Sequence, residues 1–534
     1  MKSPLRIALV LLAVLLFLAG PSLVRFYTDW LWFGEVGYQR IFLTMLQSQG
    51  TLFTITFVLA TAWLALNLNI ALKAIGNVRP VFTTREGIQV TLPGGRQLRT
   101  LALGAALLLA ALIGLFLAGR WQEWLMWRHG VPFEVQDPIL GRDVSFYVFS
   151  LPFLRLIHRL AQTLVVLAAL STAAIYLVSG NLTSGFPAQL SMSPKARRHL
   201  VLLGAAFLAL LAWGAWLQRT EHLIESSGLI HGASYADVYG RMPAALVLMF
   251  VALVGAALAV WQAFDRRNWP IPVAIGLYLV VSIGGEVYSS VLQRFIVTPN
   301  EQVRETPFIE HNIAATRQAF GLENVEVRPL SGDALLTRAD IMNNGATLEN
   351  VRLWDHQPLL ETFGQIQEIR TYYDFTSVDN DRYRINGALR QVMLSARELN
   401  SASLPNRTWV NERLTFTHGY GLTLGPVNQV TSEGLPVLFV RDLPPQTTVD
   451  LKIDEPSIYF GELTNDYVIV RTQTREFHYP RGDDNVFTQY EGTGGVSLGS
   501  LWRQLLFALR FGSYQIVLTD DIGPESRILF NRNI

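Results

Sequence analysis

Seven apolar stretches, 7–23, 51–72, 101–118, 160–178, 200–217, 243–264 and 271–292, crowd the first 296 residues, and none occurs in the 238 that follow. At 1.5 Å of rise per residue each covers, or nearly covers, a hydrocarbon core roughly 30 Å thick, and only the last contains a charge. A surface helix of a soluble protein keeps a polar back, so seven helices that are apolar all round imply a membrane rather than one soluble core. The pattern predicts a multi-pass α-helical membrane protein, with about seven transmembrane helices in residues 1–296, followed by an exported mixed α+β domain in 297–534.

Orientation follows from the basic residues between the stretches, because Lys and Arg are retained on the cytoplasmic side. Segments 1–6, 73–100, 179–199 and 265–270 hold 12 Lys and Arg in 61 residues, whereas 24–50, 119–159 and 218–242 hold 9 in 93. The first set is about twice as dense, which puts the N-terminus in the cytoplasm and, with an odd number of spans, residues 297–534 outside the cell. Lys2, the apolar run and the small Ala19 and Gly20 also fit a secretory signal peptide. Cleavage there would leave every later segment on the same side.

Half of the residues are hydrophobic and 16% are charged, as expected of a membrane protein carrying a polar domain. The net charge of +1 conceals an asymmetry: residues 297–534 carry 30 acidic and 21 basic side chains, a net −9, which leaves +10 for the first 296. An exported acidic domain has no electrostatic attraction to nucleic acid, so that partner class is set aside. The absence of cysteine excludes disulfides, thiolate metal sites and cysteine nucleophiles. The lipid bilayer is the expected partner, with an envelope lipid, glycan or protein as the further classes left open.

The outward segments are rich in aromatic residues. Trp30 and Trp32 lie in the first, and Trp121, Trp124 and Trp127 recur at helical spacing in the second. Amphipathic rings favour the headgroup boundary, so these five are read as interfacial anchors, with a lipid-facing groove as the sharper alternative. Within the spans, Glu286 sits beside Gly284 and Gly285, and an intramembrane carboxylate is a hypothesis of proton or cation handling. Its place in the outer third of its span lets it reach interfacial water, which weakens that reading. Asn67 and Asn69 are read as hydrogen-bonding a neighbouring helix.

In 297–534, stretches 308–320, 357–370, 386–400 and the amphipathic 500–511 read as helices, and 456–460, 467–473 and 513–519 as strands. Gly495-Val-Ser-Leu-Gly499 matches a nucleophile elbow, but a polar, glycine-rich segment precedes it and no histidine follows His478, so it is read as a turn before the helix at 500. Asp374, Asp379 and Asp381 fall within eight residues and could hold calcium, yet the EF-hand spacing fails, since Arg384 stands where the loop glycine belongs. No HExxH, Walker or dinucleotide pattern occurs, and no cofactor or catalytic residue is predicted.

Several longer words carry a family resemblance. Asp29-Trp-Leu-Trp-Phe-Gly-Glu-Val-Gly-Tyr38, Asp143-Val-Ser-Phe-Tyr-Val-Phe149, Asn312-Ile-Ala-Ala-Thr-Arg317, Asn350-Val-Arg-Leu-Trp-Asp355, Thr417-His-Gly-Tyr-Gly421 and Tyr490-Glu-Gly-Thr-Gly-Gly-Val496 resemble the bacterial integral-membrane proteins grouped as uncharacterised protein family 0182. The resemblance implies about seven spans and a large exported region, and brings no activity, cofactor or catalytic residue with it. It also implies more chain beyond Arg527-Ile-Leu-Phe530, so this sequence is expected to be part of a longer protein. The functional expectation is a plasma-membrane component that binds or assembles something at the cell envelope. A transporter or channel using Glu286 is the chief rival, and an envelope-facing hydrolase or transferase the third class.

Overall fold

The computed structural model describes residues 4–73, 81–83, 89–91, 95–185, 189–226, 231–265, 267–329, 331–333, 335–482 and 484–534, with backbone only for 4–18, 81–83, 89–91, 95, 184, 185, 189 and 190. The chain forms two compact units, Leu43–Arg328 and Met1–Phe42 with Pro329–Ile534. Residues 297–328, assigned to the exported part by hydropathy, thus group by contact with the first unit, and residues 1–42 with the second.

The helices of the first part are α1 (Pro4–Glu35), α2 (Gln39–Leu72), α3 (Gly95–Ala118), the short α4 (Trp121–His129), α5 (Leu151–Val178), α6 (Pro194–Glu221), α7 (Met242–Phe264), α8 (Pro270–Leu292) and α9 (Glu301–Ala319). Among the described residues six helical stretches are long and apolar enough to cross a membrane: Gln39–Leu72, Arg96–Ala118, Phe146–Val178, Pro194–Glu221, Asp237–Phe264 and Pro270–Ala319. The remaining expected span, 7–23, lies in α1, where the side chains of residues 4–18 fall outside the described residues. Large apolar side chains point away from the protein on these helices, including Phe116 at 69% exposure on α3 and Val280 at 67% on α8. Contiguous outward apolar surface of this kind suits lipid and would be a liability in water.

Small residues set the helix spacing in this unit. Ala205 and Leu208 of α6, Ala259 of α7 and Ala274 of α8 form one buried cluster. A Cβ added at Gly255 would lie 2.9 Å from the Ala274 Cβ, and one at Gly285 would lie 2.7 Å from the Ala244 Cβ, so α7 and α8 approach as closely as their backbones allow. Asn67 makes the interhelical bond expected of it, its Oδ1 accepting from His199 Nε2 at 2.9 Å, while the other ring nitrogen of His199 accepts from Tyr176 OH at 2.9 Å. The triad ties α2, α5 and α6 together.

The second unit is mixed α and β. Its largest sheet has five antiparallel strands in the order Gln446–Thr447, Val440–Arg441, Leu422–Pro426, Ala388–Ala396, Asp379–Ile385. A three-stranded sheet orders Val468–Val470, Arg527–Leu529 and Val496–Ser497, and Glu476–Arg481 pairs with Asp484–Thr488 across a turn of which Asp483 lies outside the described residues. Helices His356–Gln367 and Leu501–Phe511 match expectation, as do short strands within 456–460 and 467–473.

Two expectations are corrected. Residues 386–400 read as a helix, but 388–396 form a central strand, because Asn386 and Gly387 both take positive φ (50° and 80°) and make a two-residue hairpin turn from 379–385. Residues 513–519 read as a strand, but Gln515–Leu518 is a single helical turn that buries Ile516 completely after the chain reverses at Gly512 (φ 63°).

Candidate functional site

A charged cavity of about 540 Å³ opens in the helical unit, at the end where α5 and α7 begin and α6 and α8 finish. Helical periodicity builds it. Arg155, His158, Arg159 and Gln162 share one face of α5 at spacings of three and four, and Gly214, Leu217, Gln218 and Glu221 repeat that spacing on α6. Arg241, from the helical turn leading into α7, and Glu286 of α8 close the far side, with His222 and Glu225 following α6.

Most of these charges are matched within the protein. Arg155 pairs with Glu221. Arg241 binds Asp237 at 2.8 Å, and Asp237 in turn accepts from the Ser234 backbone N–H and hydroxyl at 2.9 and 2.7 Å. His222 Nδ1 faces Glu225 Oε2 at 3.2 Å. His158 Nε2 donates to the Leu210 carbonyl at 2.8 Å and its ring stands edge-on to Trp213, where the missing side chain of Gly214 leaves it room. Glu286 is 3.9 Å from Arg241 Nε, beyond hydrogen-bond reach, and its side chain is 61% exposed. The Arg159 side chain makes no hydrogen bond or ion pair among the described residues, and it also borders a smaller cavity of about 160 Å³ shared with Arg120 and Arg155.

With this geometry in view, sequence comparison supplies the family. The model of the uncharacterised protein family UPF0182 matches residues 5–534. The chain belongs to UPF0182. It is 43% identical over 540 residues to a UPF0182 protein of Geobacter sp. (strain M21), which covers 100% of this chain and 60% of that one. A UPF0182 protein of Pelobacter propionicus is 42% identical over 99% of the chain and 60% of its own length, and one of Geobacter sulfurreducens is 40% identical with 99% and 60% covered. The chain thus spans about 60% of the length of these curated relatives. No solved structure matches it.

The other residues singled out in this UPF0182 chain lie elsewhere. Asp374 ends one short strand, and Asp379 and Asp381 sit on the exposed edge strand 379–385. Asp374 accepts from Phe375 N at 2.9 Å and Asp381 from Arg382 N at 2.7 Å. Among the described residues no group of three or more His, Asp or Glu side chains is placed to hold a metal ion. Trp124 and Trp127 of α4 pack on Phe153 of α5 at 5.5 and 4.7 Å, and Trp121 is half-buried. Trp30 meets Phe42 at 5.8 Å, and Trp32 packs on the core that includes Phe507 and Ile528. Ser497, the central residue of the elbow-like word, lies in a strand opposite Arg527.

Sequence reading missed a buried polar network in the second unit. Glu476 accepts from Thr417 Oγ1 at 2.7 Å, Tyr459 OH at 2.8 Å and Tyr490 N at 3.0 Å, and His418 bridges to His478 at 3.2 Å. Burial raises the Glu476 carboxyl above its ordinary range despite those three donors. The His418 imidazole is pushed down to about 3 by burial, reinforced by His478 and Arg532. The Thr417-His-Gly-Tyr-Gly421 word was the available signal, since it places two polar side chains in a run that is buried throughout.

Proposed function

We propose that this protein is a multi-pass component of the bacterial plasma membrane, with a cytoplasmic N-terminus and an extracytoplasmic α+β part, and that it binds a ligand of the cell envelope in the charged cavity of α5 to α8. One observation carries the reading. Four helices and the turns at their ends bring three arginines and three glutamates to one concave site, and two of those side chains, Arg159 and Glu286, make no hydrogen bond among the described residues. Charges are costly near hydrocarbon unless a ligand or water uses them, and polar groups converging on a cavity are the usual make-up of a binding site. Among the described residues lining the cavity no Ser, Thr, Lys or Tyr stands beside its histidines and glutamates to act as a nucleophile, which favours binding over catalysis.

Purification from native membranes followed by lipid and glycan profiling tests the proposal. A bound envelope molecule that is lost from Arg159→Gln is the expected result, and a ligand profile identical in the two proteins would defeat it. Transport is the second reading, favoured by the exposure of Glu286 to the cavity. It predicts a pH-dependent flux in proteoliposomes that Glu286→Gln abolishes.

A further inference from the structure

We infer that the charged cavity is a headgroup site for a phospholipid carrying a primary amine, with Arg159 binding the phosphate and Glu286 the ammonium. This rests on the binding role proposed above and names its ligand.

The charge balance is the first argument. Arg155 is held by Glu221, Arg241 by Asp237, and Glu225 lies against His222. The two charged side chains of the lining that make no hydrogen bond among the described residues are thus one guanidinium, Arg159, and one carboxylate, Glu286, which stands 3.9 Å from Arg241 Nε, and the complement to that pair is a zwitterion. A guanidinium suits phosphate oxygens because its planar fork donates two parallel hydrogen bonds. The lining contains no Phe, Tyr or Trp. A quaternary ammonium is recognised by aromatic faces, so a choline headgroup finds nothing here, whereas a primary ammonium can donate to Glu286.

Depth is the second argument. Arg159 immediately precedes the apolar run 160–178, Gln218 immediately follows 200–217, and Arg241 stands two residues before 243–264. The polar lining therefore sits where three helices pass from hydrocarbon-like to charged sequence, the level at which lipid phosphates lie.

A wall shared with an apolar groove is the third. His158 lines the charged cavity while touching Leu210 and Trp213, and those two residues line a groove of about 620 Å³ completed by Leu59, Trp63, Leu164 and Ala209. An acyl chain fits that groove by chemistry, since its lining is almost wholly apolar. A water-soluble phosphate ester gains nothing from it.

The test uses the full chain, delipidated in detergent and titrated by native mass spectrometry with phosphatidylethanolamine, phosphatidylcholine, phosphatidylglycerol and free phosphoethanolamine. Phosphatidylethanolamine should bind about tenfold more tightly than the other two lipids, the worth of one charge-assisted hydrogen bond. Arg159→Gln should weaken it by about tenfold, and Glu286→Gln should erase the preference over phosphatidylcholine. Neither side chain is needed to complete an internal hydrogen bond, so both variants should elute as the wild type does. Equal binding of the three lipids, or free phosphoethanolamine binding as tightly as the lipid, overturns the inference. If Arg159 governs some other ligand, the lipid is refuted while the binding role stands, and if nothing bound depends on Arg159 both fall.

Discussion

At the scale of single residues, His418 offers a sign-definite test of the second unit. Folded, its imidazole is held neutral, with its pKa pushed down to about 3 by burial and by His478 and Arg532. Unfolded, it titrates near its ordinary 6.5. The stability it contributes is therefore complete above pH 6.5 and is lost as pH falls from there toward 3, at up to about 1.4 kcal/mol per pH unit. Glu476 has the opposite dependence, because its raised carboxyl contributes stability below 4.5 that fades as pH rises through the folded value. Denaturant unfolding of wild type and His418→Gln at pH 7 and pH 5 should show a shallower acid loss in the variant, and parallel losses would refute the assignment. The candidate site was legible at this scale only in part. Glu286 stood out because a charge in an apolar run is conspicuous, whereas Arg155 and Arg159 looked like ordinary loop cations beside a span. Their meeting with Glu221 and Glu286 is made by tertiary packing across 62 to 131 positions of sequence, which no local pattern reports.

At the scale of elements, hydropathy identified the long helices because a lipid solvent acts on every face of them at once. What it could not show is how near they come to one another. The α7–α8 contact depends on Gly255 and Gly285, and Gly285→Val would thrust two methyl groups toward Ala244, where a bare Cβ is already at 2.7 Å. Overpacking of this kind costs about 1–3 kcal/mol, so the variant should lose several degrees of thermal stability, read by the aggregation temperature of the detergent-solubilised chain. Gly276, which has open space around it, should tolerate Ala with no measurable change. Strands were harder to read. The run 388–396 is composed largely of good helix formers, and pairing on both sides overrides that propensity, yet the Asn386-Gly387 step was a legible hairpin signal. In 513–519 the alternation of apolar residues was real but served a single turn, with Ile516 buried and Tyr514 and Leu518 outward.

At the scale of the whole molecule, the placement of α1 constrains topology independently of the basic residues. The end of α1 belongs to the same unit as residues 329–534: Arg510 Nη1 binds Asp29 Oδ1 at 2.6 Å, Gly495 N donates to Glu35 Oε1 at 2.8 Å, and Leu31 and Trp32 pack on the core around Ile469 and Phe507. Elements so joined must share one side of the bilayer. Between Glu35 and Pro329 the chain runs through six apolar stretches, and if all of them cross, their even number would return it to the side it left. On the proposed topology α1 crosses as well, which would put the N-terminus opposite the α+β part, with the twofold excess of Lys and Arg marking the N-terminal side as the cytoplasmic one. Reporter fusions after Ser193 should therefore give cytoplasmic signals and fusions after Thr347 exported ones. Exchange of the two signals would reverse the orientation while keeping the helix count. Two cytoplasmic signals would break the count itself, because α6, α7 and α8 put an odd number of crossings between those positions.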